Sequence, residues 1–415
     1  MRSPRAVVAG LLLAVLMLAP QAVGSEATDE REIQSLLDRR AGGLLSGDRA
    51  GFLGTVDPSR ENFLRAQEAH FDRLRPLRLA AYTLEIDLEE SPDLARPRDR
   101  RRYGAPVRVG IVEENIQIDG YDEGPVLGFQ LLTFVKRDRE WLVASDTDTA
   151  DLGLNTARHP WDFGPLALVG GDHFLVVAHP PDEEFARQLL PLAEEALSQL
   201  NQFWGEEWSR RVVVYLPASR LELEKLLDAT VDVTNFVAFA TASVDRADGW
   251  EPRGSRVILN PDNFARHSAE GQRAILTHEL LHVATRGAGG PFVNLLVEEG
   301  FAQLAEPPGF TGDSELIRQA RSGTFSGKLP EDLEFVGGGP SEIGLAYQKA
   351  FSSMSFLRDR FGPERLIAFY QSYGKARVEP GTSRYHLDRA LRAATGLSLD
   401  EFERQWADSV SSRAG

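Results

Sequence analysis

The chain has 415 residues, 42% of them hydrophobic and 26% charged, with a formal net charge of −16 and no Cys. That length supports two or three hydrophobic cores. The missing Cys excludes disulfides, thiolate nucleophiles and cysteine metal ligands, so any metal site must draw on His and carboxylates. The acidic balance argues against nucleic acid or an anionic membrane as the main partner.

Residues 1–24 read as a secretory signal peptide. Arg2 and Arg5 form the basic start, Ala6–Ala19 is a short apolar run, and Ala22-Val23-Gly24 offers small residues for cleavage before Ser25. The run is short for a membrane span. The expectation is an exported, extracytoplasmic protein with no stable membrane insertion after cleavage; an uncleaved anchor is the alternative. Cleavage removes two Arg and no acid, which takes the charge from −16 to −18.

Residues 28–46 carry Ile33, Leu36, Leu37, Ala41 and Leu44 at helical spacing, and a second helix is predicted over Arg60–Leu74. Ala80–Leu88, Val107–Ile118, Val126–Val135 and Trp141–Ala144 alternate as antiparallel strands do. Helices followed by a meander predict a compact α+β unit over 28–150. The run Leu36–Phe52, with Gly47-Asp48 and Phe52 ahead of Asp57, resembles the opening of nuclear-transport-factor-2-like (SnoaL-like) domains. That resemblance implies a cone of helices over a curved antiparallel sheet, with a structural or partner-binding role.

The Pro/Gly/aromatic stretch His159–Pro165 predicts a boundary, giving a linker over 151–165. Beyond it the order is strand Phe174–Ala178, helix Asp182–Phe203, strand Arg211–Leu216, helix Arg220–Leu227, and strands Phe236–Val244 and Ser255–Asn260. A helix over Ala269–Thr285, a break at Gly287–Pro291 and a helix over Phe292–Ala305 follow. A helical portion from 341 to 415 closes the chain, with breaks at Gly362, Gly374 and Gly381.

His278-Glu279-Leu280-Leu281-His282 is an H-E-x-x-H motif. Residues four apart share a helix face, so the two imidazoles can grip one Zn²⁺. Glu279 sits beside that face, placed to take a proton from the attacking water as general base. Ile275, Leu276, Leu280, Leu281 and Val283 make the helix mostly buried, where two His and a Glu are costly without a partner such as a metal. The alternative is a hydrogen-bonded His pair on an ordinary helix. Val297-Glu298-Glu299-Gly300-Phe301-Ala302 supplies carboxylates for a third ligand.

The motif, together with Leu296–Ala302, resembles the gluzincin metallopeptidases, and more closely bacterial peptidase-MA-like domains. That resemblance implies a zincin-like catalytic core over 166–340, a helical C-terminal subdomain over 341–415, a zinc cofactor and a peptide or protein substrate. By match to the Glu before Gly-Phe-Ala it makes Glu299 the third ligand, with Glu298 the competitor about 100° away on the helix. Phe203-Trp204-Gly205 before Trp208, Val212–Pro217, Arg256–Pro261, His282–Arg286, Tyr347–Phe361 with Gly362, and Leu397–Phe402 extend the likeness across about 165–410. Phe236–Val244 and Arg256–Asn260 are the strands on which extended substrate could pair.

Two positions depart from the pattern: Gln303 stands where an acid commonly supports a ligand His, and Leu296 where a bulky aromatic is usual. For the oxyanion the resemblance points to Tyr347, with His386 beside Tyr385 as the alternative. His70, His159, His173, His179 and His267 show no ligand spacing and read as structural or exposed. Two other readings stay open: a catalytically weak or inactive zinc-containing binding module of the cell envelope, and a zinc hydrolase of a non-peptide amide or ester.

Overall fold

The computed structural model describes residues 23–87, 93–205, 207–227, 233–234, 236–245, 251–290, 292–374 and 381–415. Nearly all of the expected signal peptide lies outside the described residues.

The chain opens with α1 (Val23–Ser46), α2 (Arg49–Leu53), α3 (Glu61–Leu74), β1 (Leu79–Ile86), α4 (Pro97–Tyr103), β2 (Val107–Ile118), β3 (Val126–Arg137) and β4 (Glu140–Ser145). The strands form an antiparallel meander, β1-β2-β3-β4, that curls into a half-barrel. Along β2 inner positions such as Val112, Ile116 and Ile118 are buried, as the period of two requires. They meet Ile33, Leu36 and Leu37 of α1 with Phe52 and Phe71, in one core.

Next come α5 (Pro160–Phe163), β5 (Ala167–Gly170), β6 (Phe174–Ala178), α6 (Glu183–Trp204), β7 (Val212–Tyr215), α7 (Arg220–Leu226), β8 (Ala238–Asp245) and β9 (Glu251–Leu259). The second sheet has the order β5-β6-β7-β9-β8; β6, β7 and β9 run parallel, while β5 and β8 are antiparallel to their neighbours. Its two faces enter different cores. Val176, Val212, Val214 and Val257 pack with the helices that follow. Leu175, Val177, Val213, Tyr215 and Ile258 pack with the first sheet's core. Burial on both faces explains why β6 (FLVVA) and β7 (VVVY) are unbroken apolar runs.

The segment between the sheets is held down rather than extended. Trp161 is 1% exposed and stacks with His159, whose Nε2 lies 2.9 Å from Glu114 Oε2 on β2. Asp162 lies 3.1 Å from His70 Nδ1 and accepts the His159 backbone N–H at 3.0 Å. Burial alone would raise the Asp162 carboxyl. The hydrogen bond and charge of His70, the charge of His159 and that backbone donor outweigh it and hold the carboxyl down at about 2, against an ordinary 3.8. A depressed carboxylate stabilises the fold above its unfolded pKa, and that contribution of about 2 kcal/mol is lost as pH falls from about 4 toward 2. In urea titrations the stability gap between wild type and Asp162→Asn is therefore expected to narrow between about pH 5 and pH 2.5. A gap independent of pH would refute the assignment.

The remainder is helical: α8 (Pro261–Phe264), α9 (Ala269–Gly289), α10 (Leu295–Ala305), α11 (Ser314–Ser322), α12 (Pro340–Phe361), α13 (Pro363–Gln371), α14 (Ser383–Thr395) and α15 (Leu399–Ala414). The break falls within the predicted range Gly287–Pro291, although the helix itself runs past Thr285. α9 continues to Gly289 and turns out at Gly290, where φ is +71°. Gly289 lies so close to Tyr370 and Val293 that a Cβ would stand 2.7 and 2.6 Å from them, so packing decides the helix end there. Five elements carry no strong local signal and were not expected from the sequence: α4, α5, β5, α8 and α11.

Candidate metal centre

α9 is anchored at its start by Ser268, whose hydroxyl accepts the Gly271 N–H. It runs beneath the second sheet against α6 and β8, with Leu276, Leu280 and Leu281 fully buried. His278 and His282 lie one turn apart on its remaining face, 17% and 15% exposed, with ring centroids 5.0 Å apart.

α10 brings the carboxylate. Its first N–H is met from a segment distant in sequence, where Asp332 Oδ1 accepts Leu295 N–H at 2.9 Å. Gly300 lets α10 lie directly on α12: a Cβ there would stand 2.7 Å from Ala350 O and 2.6 Å from Met354 Cγ. That contact gives the Glu-Gly-Phe-Ala run a physical reason. The residue before the glycine faces the His pair, and Tyr347 of α12 reaches the same point.

Glu299 Oε2 lies 3.3 Å from His278 Nε2, and Glu299 Oε1 lies 3.8 Å from His282 Nε2. One ligand atom from each of the three residues can be chosen so that all lie within 4.8 Å of one another, and together they could hold a metal ion. Glu299, not Glu298, is the carboxylate in this group. Among the described residues no other group of three or more His, Cys, Asp or Glu side chains meets that condition. His159, His173 and His179 are each paired with a single carboxylate, of Glu114, Glu194 and Glu222, and His70 with Asp162.

Glu279 sits beside the group. Burial pushes its carboxyl up to about 7; His278 pulls it down, Glu299 adds to the rise, and the Ala240 N–H donates to it. Burial also raises the Tyr347 hydroxyl well above its ordinary range, reinforced by the charges of Glu299 and Glu279, and that hydroxyl hydrogen-bonds Glu299. Burial would raise Glu299, but His282, His278 and Tyr347 reverse this and hold it below the ordinary carboxylate value. His386 is placed elsewhere, 1% exposed and stacked on Phe292 at 4.4 Å between ring centroids.

β8 is the edge strand of the sheet, whereas β9 is paired on both sides by β7 and β8. Of the two strands considered for substrate pairing, only β8 has an edge with no further strand beside it among the described residues. At Ala240 that edge turns toward α9: its N–H meets Glu279, and its carbonyl accepts from Arg286 Nη2 at 2.9 Å.

One site residue was not found in the sequence. Glu306 Oε1 lies 2.8 Å from His278 Nδ1. It stands seven residues after Glu299, two helical turns on, so the spacing did carry a signal. Gln303, where the acid was expected, is buried with its Oε1 unbonded.

No protein-family model matches the chain, and no curated protein matches it. The chemistry must be read from the site itself.

Proposed function

We propose that the chain is an exported zinc-dependent metallopeptidase of the gluzincin, peptidase-MA-like kind, in which 166–340 form the catalytic core and 341–415 a helical subdomain. The observation that carries this reading is the convergence of His278, His282 and Glu299 with Glu279 buried beside them. Two imidazoles and one carboxylate are a donor set zinc favours, and tetrahedral zinc places donor atoms about 3.4 Å apart; the Glu299 carboxylate approaches His278 Nε2 at 3.3 Å through Oε2 and His282 Nε2 at 3.8 Å through Oε1. One ligand atom from each of the three lies within 4.8 Å of the others, which supports the group as the holder of the ion. A bound zinc ion would supply Lewis acidity toward a carbonyl and a local positive charge.

The chain's own residues do the rest. Glu279 Oε, oriented by Ala240 N–H, accepts a proton from the attacking water and can return it to the leaving amine. Positive charge in the site would lower its carboxyl from about 7, keeping it ionised near neutral pH. Tyr347 presents a neutral hydroxyl at the same point, a donor for negative charge developing on a carbonyl oxygen. The outer edge of β8, apart from Ala240, whose N–H and carbonyl meet Glu279 and Arg286, would hold extended peptide by main-chain hydrogen bonds.

The curled sheet with α1–α3 packed on it supports a nuclear-transport-factor-2-like unit over 28–150, with a structural or partner-binding role. Export rests on the pattern of residues 1–24; among the described residues no helix is long and apolar enough to cross a membrane.

Metal analysis of the purified protein, with peptide-library profiling before and after chelation, tests the reading. One equivalent of zinc is expected, with cleavage lost on chelation and restored by zinc alone. Cleavage that survives complete removal of metal, or a zinc-loaded protein that cleaves no peptide, would overturn it.

A further inference from the structure

We propose that Glu306, at the end of α10, is a positioning residue of the metal centre that acts through His278; the inference rests on the reading of that centre as a zinc site. An imidazole has two nitrogens and can present either one to a cation. In His278, Nε2 faces Glu299 at 3.3 Å, and Nδ1 lies 2.8 Å from Glu306 Oε1. A ring that donates Nδ1–H to a carboxylate keeps its Nε2 lone pair for the ion and cannot turn over without breaking that bond.

Glu306 is itself held. Its side chain is 6% exposed, and its second oxygen accepts the Thr311 hydroxyl. Thr311 returns to it because the intervening residues turn back sharply: Phe310 N–H donates to Pro307 O at 3.1 Å, and Gly309 takes φ +88°. Two residues further on, Asp313 Oδ2 accepts from Arg413 Nη1 of α15 at 2.6 Å. Arg413 Nη2 also donates to Ser352 Oγ of α12 at 2.9 Å. The loop is therefore fastened to a metal ligand at its start and to the C-terminal helix at its end. Burying a carboxylate here is costly unless its oxygens are satisfied, and both are. Glu306 meets the nitrogen of His278 that faces away from Glu299, so it orients the ligand and does not touch the reacting atoms.

A loop tie and a positioning role predict different measurements. Zinc affinity of the full chain, read by competition with a chromophoric chelator, should fall about 10–100-fold in Glu306→Ala. Glu306→Gln, which keeps an acceptor but no charge, and Thr311→Val should each show a smaller loss in the same direction. Cobalt(II) loaded in place of zinc should give an altered visible absorption spectrum in Glu306→Ala. If Glu306→Ala does not fold, Glu306→Gln and Thr311→Val decide the matter by the same two readouts. Unchanged zinc affinity and cobalt spectrum in the folded variants, with only a lowered melting temperature, would reduce Glu306 to a loop tie and overturn the proposal. A wild-type protein that binds no zinc would instead overturn the metal-centre reading.

Discussion

Glu279→Gln is expected to lower peptide cleavage by about 10²–10⁴-fold, the usual contribution of a positioned general base, and to leave zinc bound. The side chain is nearly isosteric, and its amide oxygen can still accept the Ala240 N–H that orients Glu279. The three candidate ligands, His278, His282 and Glu299, are untouched. What disappears is the ability to take a proton. Parallel measurement of zinc content and peptide-library turnover separates the outcomes. Full turnover with Gln at 279 would remove Glu279 from the mechanism. Loss of zinc together with turnover would make Glu279 a ligand, contrary to the proposed division of roles.

Asp122→Ala is expected to cost about 3–5 kcal/mol of stability, because it leaves a buried cation without its counter-charge. Asp122 lies between β2 and β3, with a fully buried side chain, and grips Arg256 of β9 through two bonds of 2.6 and 2.9 Å. It also accepts Ile118 N–H at 2.7 Å, while Arg256 Nε donates to Tyr215 OH at 3.3 Å. The pair joins the first sheet to the second, so the loss should appear as a lower urea midpoint for the whole molecule. Replacing both partners with apolar residues of similar volume should recover much of it, since the penalty arises from the stranded charge. A single variant within 1 kcal/mol of wild type would show that water or another group compensates Arg256.

Where periodicity and burial agree, local structure was legible in the sequence. β2 and β6 begin and end where the pattern of apolar residues placed them, and α6 and α10 are displaced only by a few residues. The convergence of His278 and His282 was legible because i, i+4 spacing on a helix is a geometric statement about two side chains. Glu299 needed the neighbouring motif, since Glu298 is chemically identical and only the crossing of α9 and α10 distinguishes them. Contacts made across elements left weaker traces. Glu306 depends on a turn that folds Thr311 back, Ala240 on the position of β8 over α9, and the end of α9 on Tyr370 of α13. α4, with four Arg residues and no apolar stripe, forms a short helix whose Asp99 accepts the Arg96 N–H and whose Tyr103 hydroxyl donates to Asp148. Its sequence resembles a charged loop.

The second sheet, buried on both faces, has a bearing on how the molecule can be divided. Leu175, Val177, Val213, Tyr215 and Ile258 have the first sheet and its helices as their solvent. A fragment beginning at residue 166 would carry every residue of the metal centre and yet present that apolar face to water, a surface that favours self-association. The N-terminal portion thus covers an apolar face of the proposed catalytic core, and any shorter form would need polar replacements on that face.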